Sequence, residues 1–120
     1  MDNKPLECFA CEPRARGVRV DISPQKSIVL PYEHFVYAEF SAGEQLDSLK
    51  LVFVTHEVKL AGYLLRRIET VILNRDLSWL CAWPEKFRSQ NSDRPFITDL
   101  RVRVLEQPAS GAKDSEKIQT

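Results

Sequence analysis

Between Leu49 and Ile72 the hydrophobic pattern of the chain changes period, and this change constrains the fold more than any other feature of the sequence. From residue 49 to 60 apolar side chains occupy both faces of an extended segment. Leu49, Leu51 and Phe53 fall on one side and Val52, Val54, Val58 and Leu60 on the other, with only Thr55-His56 interrupting. The pattern predicts one long bent strand or two short ones. Gly62 ends it, and from Tyr63 the spacing is helical, with Leu64, Leu65, Ile68, Val71 and Ile72 at i, i+1, i+4, i+7 and i+8. A helix of about twelve residues follows, ended by Asn74, a residue that tolerates the left-handed conformation.

The flanking segments read as strands. Val18, Val20 and Ile22 alternate with Arg19 and Asp21 up to Ser23-Pro24, and a short apolar burst at residues 28–30 ends at Pro31. In residues 34–40, Val36, Ala38 and Phe40 share a face, and the turn residues Ser41-Ala42-Gly43-Glu44 predict a hairpin with the next strand. Beyond the helix, residues 77–83 read as a strand stopped by Pro84, residues 85–95 as a loop, and residues 96–104 as a last alternating strand. The order β-β-β-β-α-β-β predicts an α+β domain: one twisted, mostly antiparallel sheet of about six strands with a single amphipathic helix packed on one face. The strands on either side of the helix are placed to form a right-handed parallel crossover. Residues 1–17 read as a flexible N-terminal arm, 18–106 as the domain, and 107–120 as a disordered tail, because arm and tail hold too few large apolar residues to offset their ordering entropy.

Charge and composition narrow the function classes. Of 120 residues, 43% are hydrophobic, enough for one core, and seventeen Lys and Arg balance seventeen Asp and Glu. A neutral chain projects no field toward a polyanion, which disfavours nucleic acid and anionic membranes as partners. There is no apolar run near the roughly 18 residues that a membrane helix needs and no signal-peptide core, so a cytoplasmic location is expected. Three cysteines are too few to staple such a domain, and reduced thiols follow.

Candidate chemistry is sparse. Cys8-Phe9-Ala10-Cys11 has the spacing with which two thiolates hold zinc, but no second Cys or His pair completes a tetrahedral site. Cys81, His34 and His56 lie on three separate predicted strands. A metal or thiol site at Cys8 and Cys11 is therefore an alternative, and no cofactor is expected. His34 and His56 follow Glu33 and precede Glu57, yet adjacent strand residues point to opposite faces, so neither carboxylate orients its neighbouring imidazole. Nucleophile-elbow, zinc-protease and phosphate-loop motifs are missing, and an enzyme is not expected.

Arg14, Arg16 and Arg19 precede Asp21-x-Ser23, a stretch that resembles in part the PilZ pattern, in which Arg-x-x-x-Arg leads to Asp-x-Ser-x-x-Gly and a cyclic dinucleotide is bound. Lys26 stands where that glycine would be, the arginines crowd the Asp-x-Ser, and nothing beyond this stretch matches, so the family is not assigned.

Two surfaces remain. Leu77, Trp79, Cys81 and Trp83 share strand parity, and with Arg101 and Arg103 of the last strand, Trp79 and Trp83 would form the basic and aromatic surface of a nucleic-acid-binding domain. The helix carries more apolar surface than one sheet covers, with Tyr63 and Leu73 flanking its core stripe, which predicts a homodimer interface there. The sequence is thus read as a non-catalytic interaction or accessory module, homodimeric, with nucleic-acid binding as the alternative.

Overall fold

The structure, a computed structural model, describes residues 7–91 and 93–105. Its strands are β1 (Phe9–Cys11), β2 (Gly17–Ser23), β3 (Lys26–Pro31), β4 (Phe35–Ser41), β5 (Asp47–Phe53), β6 (His56–Tyr63), β7 (Leu77–Leu80) and β8 (Phe96–Val104). Among the described residues there is one α-helix, α1 (Arg66–Leu73), between β6 and β7, and 3-10 turns occupy Tyr32–His34 and Glu85–Asn91. The expected α+β class holds. The expected single sheet of about six strands is corrected to two four-stranded sheets, ordered β1-β7-β2-β3 and β4-β5-β6-β8. Period-two patterning reports which face of a strand is buried and carries nothing about which sheet the strand joins.

Both sheets are antiparallel apart from the β2–β7 pair. The predicted crossover does not form, because β6 and β7, which flank α1, belong to different sheets and the parallel partner of β7 is β2. Part of the predicted arm is also ordered. Residues 9–11 pair with β7, and Cys8 is only 1% exposed. The predicted tail, 107–120, lies outside the described residues.

One core joins the two sheets. Val18, Val20, Leu30, Leu77 and Leu80 contribute from the first, and Leu49, Leu51, Phe53, Val58 and Leu60 from the second. The long apolar run resolves into the hairpin β5–β6, whose turn at Val54-Thr55 resets the alternation. Val58 and Leu60 are therefore buried with Leu49 and Leu51 instead of facing the other way. Phe96, Ile97, the helix-capping residue Leu65 and the helix residues Ile68 and Ile72 close the same core.

The helix is shorter than its apolar pattern. Tyr63 is the last residue of β6, and Leu64 turns the chain at φ 59°. The Asp47 carboxylate then accepts the Leu65 N–H at 3.2 Å, satisfying one of the unpaired amides at the helix start. At the far end Asn74 keeps φ at −87° and Arg75, at φ 57°, takes the left-handed position. At Gly62 the strands approach so closely that a Cβ would overlap the Phe96 carbonyl oxygen and stand 3.0 Å from Ile97 Cα, and a bulge between Ala61 and Gly62 shifts the β6–β8 register there. Among the described residues no helix is long and apolar enough to cross a membrane.

Candidate binding site

A cavity of about 500 Å³ opens where the β2–β3 turn meets the end of β7. Ser23, Gln25, Lys26 and Ser27 form its polar rim, Trp79, Cys81 and Trp83 form one wall, and Ile22 and Leu100 complete it. Pro24 breaks the strand, and the Gln25 N–H bonds the Ser23 hydroxyl at 3.3 Å, which shapes the rim.

Both indoles are held by their nitrogens. Trp79 Nε1–H donates to Asp21 Oδ2 at 2.9 Å, and Trp83 Nε1–H donates to the Glu7 carbonyl at 2.9 Å. Arg19 fixes the same Asp21 carboxylate through Nε at 3.2 Å and lies 5.8 Å from the centre of the Trp79 ring. Phe87 meets Trp83 edge to face at 6.2 Å. With their donors engaged, the two indoles offer the cavity carbon surface rather than hydrogen bonds. Lys26 is exposed on the rim, with no ion pair or hydrogen bond among the described residues.

Trp79 and Trp83 thus share one cavity with Cys81, but Leu77 does not join them. A bulge in the β1–β7 pairing pairs Ala10 with Trp79 and Cys11 with Leu77, so Leu77 turns into the core while Trp79 lines the cavity. Arg101 and Arg103 are on another surface. In β8 the residue lining the tryptophan cavity is Leu100, opposite the core residue Leu60, whereas Arg101 and Arg103 lie on the other face. Each already holds a carboxylate: Arg101 Nε is 3.0 Å from Asp99, and Arg103 is 2.8 Å from Glu57, whose carboxyl it keeps below the ordinary range by hydrogen bonding. The four residues expected to form a nucleic-acid surface are therefore divided between two faces of the molecule.

Tyr63 is satisfied within the chain. Its hydroxyl donates to Glu85 at 2.8 Å, and the Arg88 guanidinium lies 3.6 Å from its ring centre. The 3-10 segment after β7 thus packs on Tyr63, whereas Leu73, at 78% exposure, is the uncovered apolar residue of α1. Neither partner of Tyr63 could be read from the sequence, because contacts across more than twenty residues leave no local signal.

The cysteine pair does not converge. Cys8 is buried with its sulfur accepting the Ile97 N–H at 3.3 Å, whereas Cys11 is exposed. Among the described residues no group of three or more His, Cys, Asp or Glu side chains is placed to hold a metal ion. His34 belongs to the first 3-10 turn, and His56 Nδ1 lies 2.7 Å from the Thr55 hydroxyl at the tip of the β5–β6 hairpin. Burial pushes the Cys8 thiol up, and it pushes Cys81, which donates to the Glu7 carbonyl at 3.4 Å, up to about 12. A thiol-reactive disulfide reagent at pH 8 is expected to titrate one group quickly, Cys11, and all three only after denaturation. Fast reaction of two or three would show that β1 is undocked, since thiol reactivity follows exposure and thiolate fraction.

Comparison with protein-family models, with curated proteins and with solved structures finds no match.

Proposed function

We propose that this chain is a non-catalytic recognition module that accepts a ring-bearing ligand in the cavity walled by Trp79 and Trp83. The observation that carries the reading is that two indoles, both with their N–H groups engaged, line one cavity whose rim bears the unpaired ammonium of Lys26. Concave apolar walls with a few converging polar groups are the usual form of a small-ligand site. Aromatic stacking on each indole would supply the affinity, and Lys26 would select a ligand with a negative or hydrogen-bonding substituent. The groups nearest the cavity support binding over catalysis. Cys81 stays protonated at neutral pH, and the Asp21 carboxylate is held by Arg19 and Trp79.

The probe is anilinonaphthalene sulfonate, a fused ring with one anionic group. Its fluorescence is expected to rise on saturable binding to the folded protein, with affinity falling at least tenfold in Trp79→Leu and several-fold in Lys26→Glu, a surface change that spares the fold. A melting temperature of Lys26→Glu equal to that of the wild type excludes binding to a loosened core. Equal affinity in wild type and Lys26→Glu would overturn the assignment. Oligothymidylate serves as the second arm: stacking of its bases in this cavity would quench the tryptophans and make a single-stranded nucleic acid the ligand.

A further inference from the structure

The outer face of the second sheet presents an arrangement that stability alone disfavours. Register places Lys50 of β5 opposite Lys59 of β6, and Lys59 opposite Arg101 of β8. Three cations thus lie side by side across three strands, a span of about 10 Å at the usual strand spacing. Like charges directly opposite one another destabilise a sheet. The two outer cations are compensated, Lys50 by Glu39 at 3.2 Å and Arg101 by Asp99 at 3.0 Å. The ammonium of Lys59, in the middle, has no ion pair or hydrogen bond among the described residues; the nearby Glu57 carboxylate feels its charge and that of Lys50 but is bonded to Arg103. The same residues line a groove of about 400 Å³ whose depth comes from the small side chains of Ser48 and Ala61.

We infer that this groove receives an acidic side chain from a protein partner, with Lys59 as its primary contact. The charge pattern favours a short acidic segment. Glu39, opposite Lys50, ends the cationic row on β4, and Asp99, beside Arg101 along β8, neutralises its other end, so the row accommodates one or two negative charges at a time. The row beside it holds Tyr37 and Val52, paired across β4 and β5, and Tyr37 is exposed, giving apolar residues next to an acidic one a surface to meet. The chain as a whole is neutral and supplies no long-range field for nucleic acid. The inference is independent of the tryptophan cavity, which lies on the other side of β8.

The test is fluorescence anisotropy of a labelled hexaglutamate peptide at low ionic strength, with hexalysine and oligothymidylate as comparison probes. Hexaglutamate is expected to bind with an affinity that falls as salt rises, and at least tenfold more weakly to Lys59→Glu. Lys59→Gln should weaken the peptide while leaving the melting temperature unchanged or higher, because it relieves repulsion from Lys50 and Arg101. A residue kept only for the fold would give the opposite pattern, with a lower melting temperature and unaltered peptide affinity. The inference is overturned if hexaglutamate does not bind, if binding is indifferent to Lys59→Glu, or if oligothymidylate binds the groove more tightly than the peptide.

Discussion

Ile68→Ala is expected to cost the fold about 2–5 kcal/mol, the range for removing most of a large buried aliphatic side chain and leaving a cavity. Ile68 is completely buried, on the stripe of α1 shared with Leu65 and Ile72, and this stripe closes the core over both sheets. The helix has eight residues, too few to be stable alone in water, so its existence depends on this packing. The loss should place the change toward the upper part of the range and release the segment after it, where Arg75 N–H and Asp76 N–H bond back to Ile72 and Val71 at 2.9 and 3.1 Å. Urea denaturation followed by far-UV circular dichroism measures it. A loss under about 0.5 kcal/mol, typical of surface substitutions, would mean that the helix is not docked through this face.

Phe53→Ala is expected to be at least as damaging, about 3–5 kcal/mol. Phe53 is fully buried at the end of β5 and meets Phe35 edge to face at 5.4 Å, while Phe35 meets Tyr32 at 6.3 Å. Tyr32 in turn donates its hydroxyl to the Leu77 carbonyl at 2.7 Å, and burial pushes that hydroxyl up to about 12, so it remains a donor at neutral pH. The three rings and this hydrogen bond connect β5 of one sheet to β7 of the other. Removing the Phe53 ring therefore opens a cavity and unseats Phe35, which it packs against, a coupling that double mutation can detect. Phe53→Ala and Phe35→Ala together should cost measurably less than the two single losses added, as contacting residues do. Simple additivity would place the two rings in separate environments.

The residues that read correctly from the sequence are those whose neighbours are local. The stripe of Ile68 and Ile72, the inward alternation of Val18 and Val20, and the hairpin of β4 with β5 all follow from periodicity and a turn within a few residues. Bulges defeated parity elsewhere. One between Phe35 and Tyr37 leaves Val36 exposed where alternation groups it with Ala38 and Phe40, and another in the β1–β7 pairing separates Leu77 from Trp79. Division into two sheets was illegible for a different reason, since the same alternation serves either arrangement. β1 was hidden by its brevity and by the use of Cys8 as a buried apolar residue, in a segment otherwise rich in charge. For the site, the sequence supplied the tryptophans but not their cavity, whose rim comes from the β2–β3 turn more than fifty residues earlier. The cationic row of Lys50, Lys59 and Arg101 becomes visible only once strand register is known.

Because the chain has two tryptophans and both line the same cavity, its two indole N–H resonances in a nitrogen–proton correlation spectrum report on that cavity directly. Titration of the labelled protein with anilinonaphthalene sulfonate is the decisive measurement. The binding account predicts that both indole signals shift together, with one saturation curve, along with the backbone amides of Gln25, Lys26 and Ser27, while those of Lys50, Lys59 and Arg101 remain in place. Indole signals that stay fixed while the dye binds elsewhere, or that move only with loss of signal dispersion across the spectrum, would contradict it.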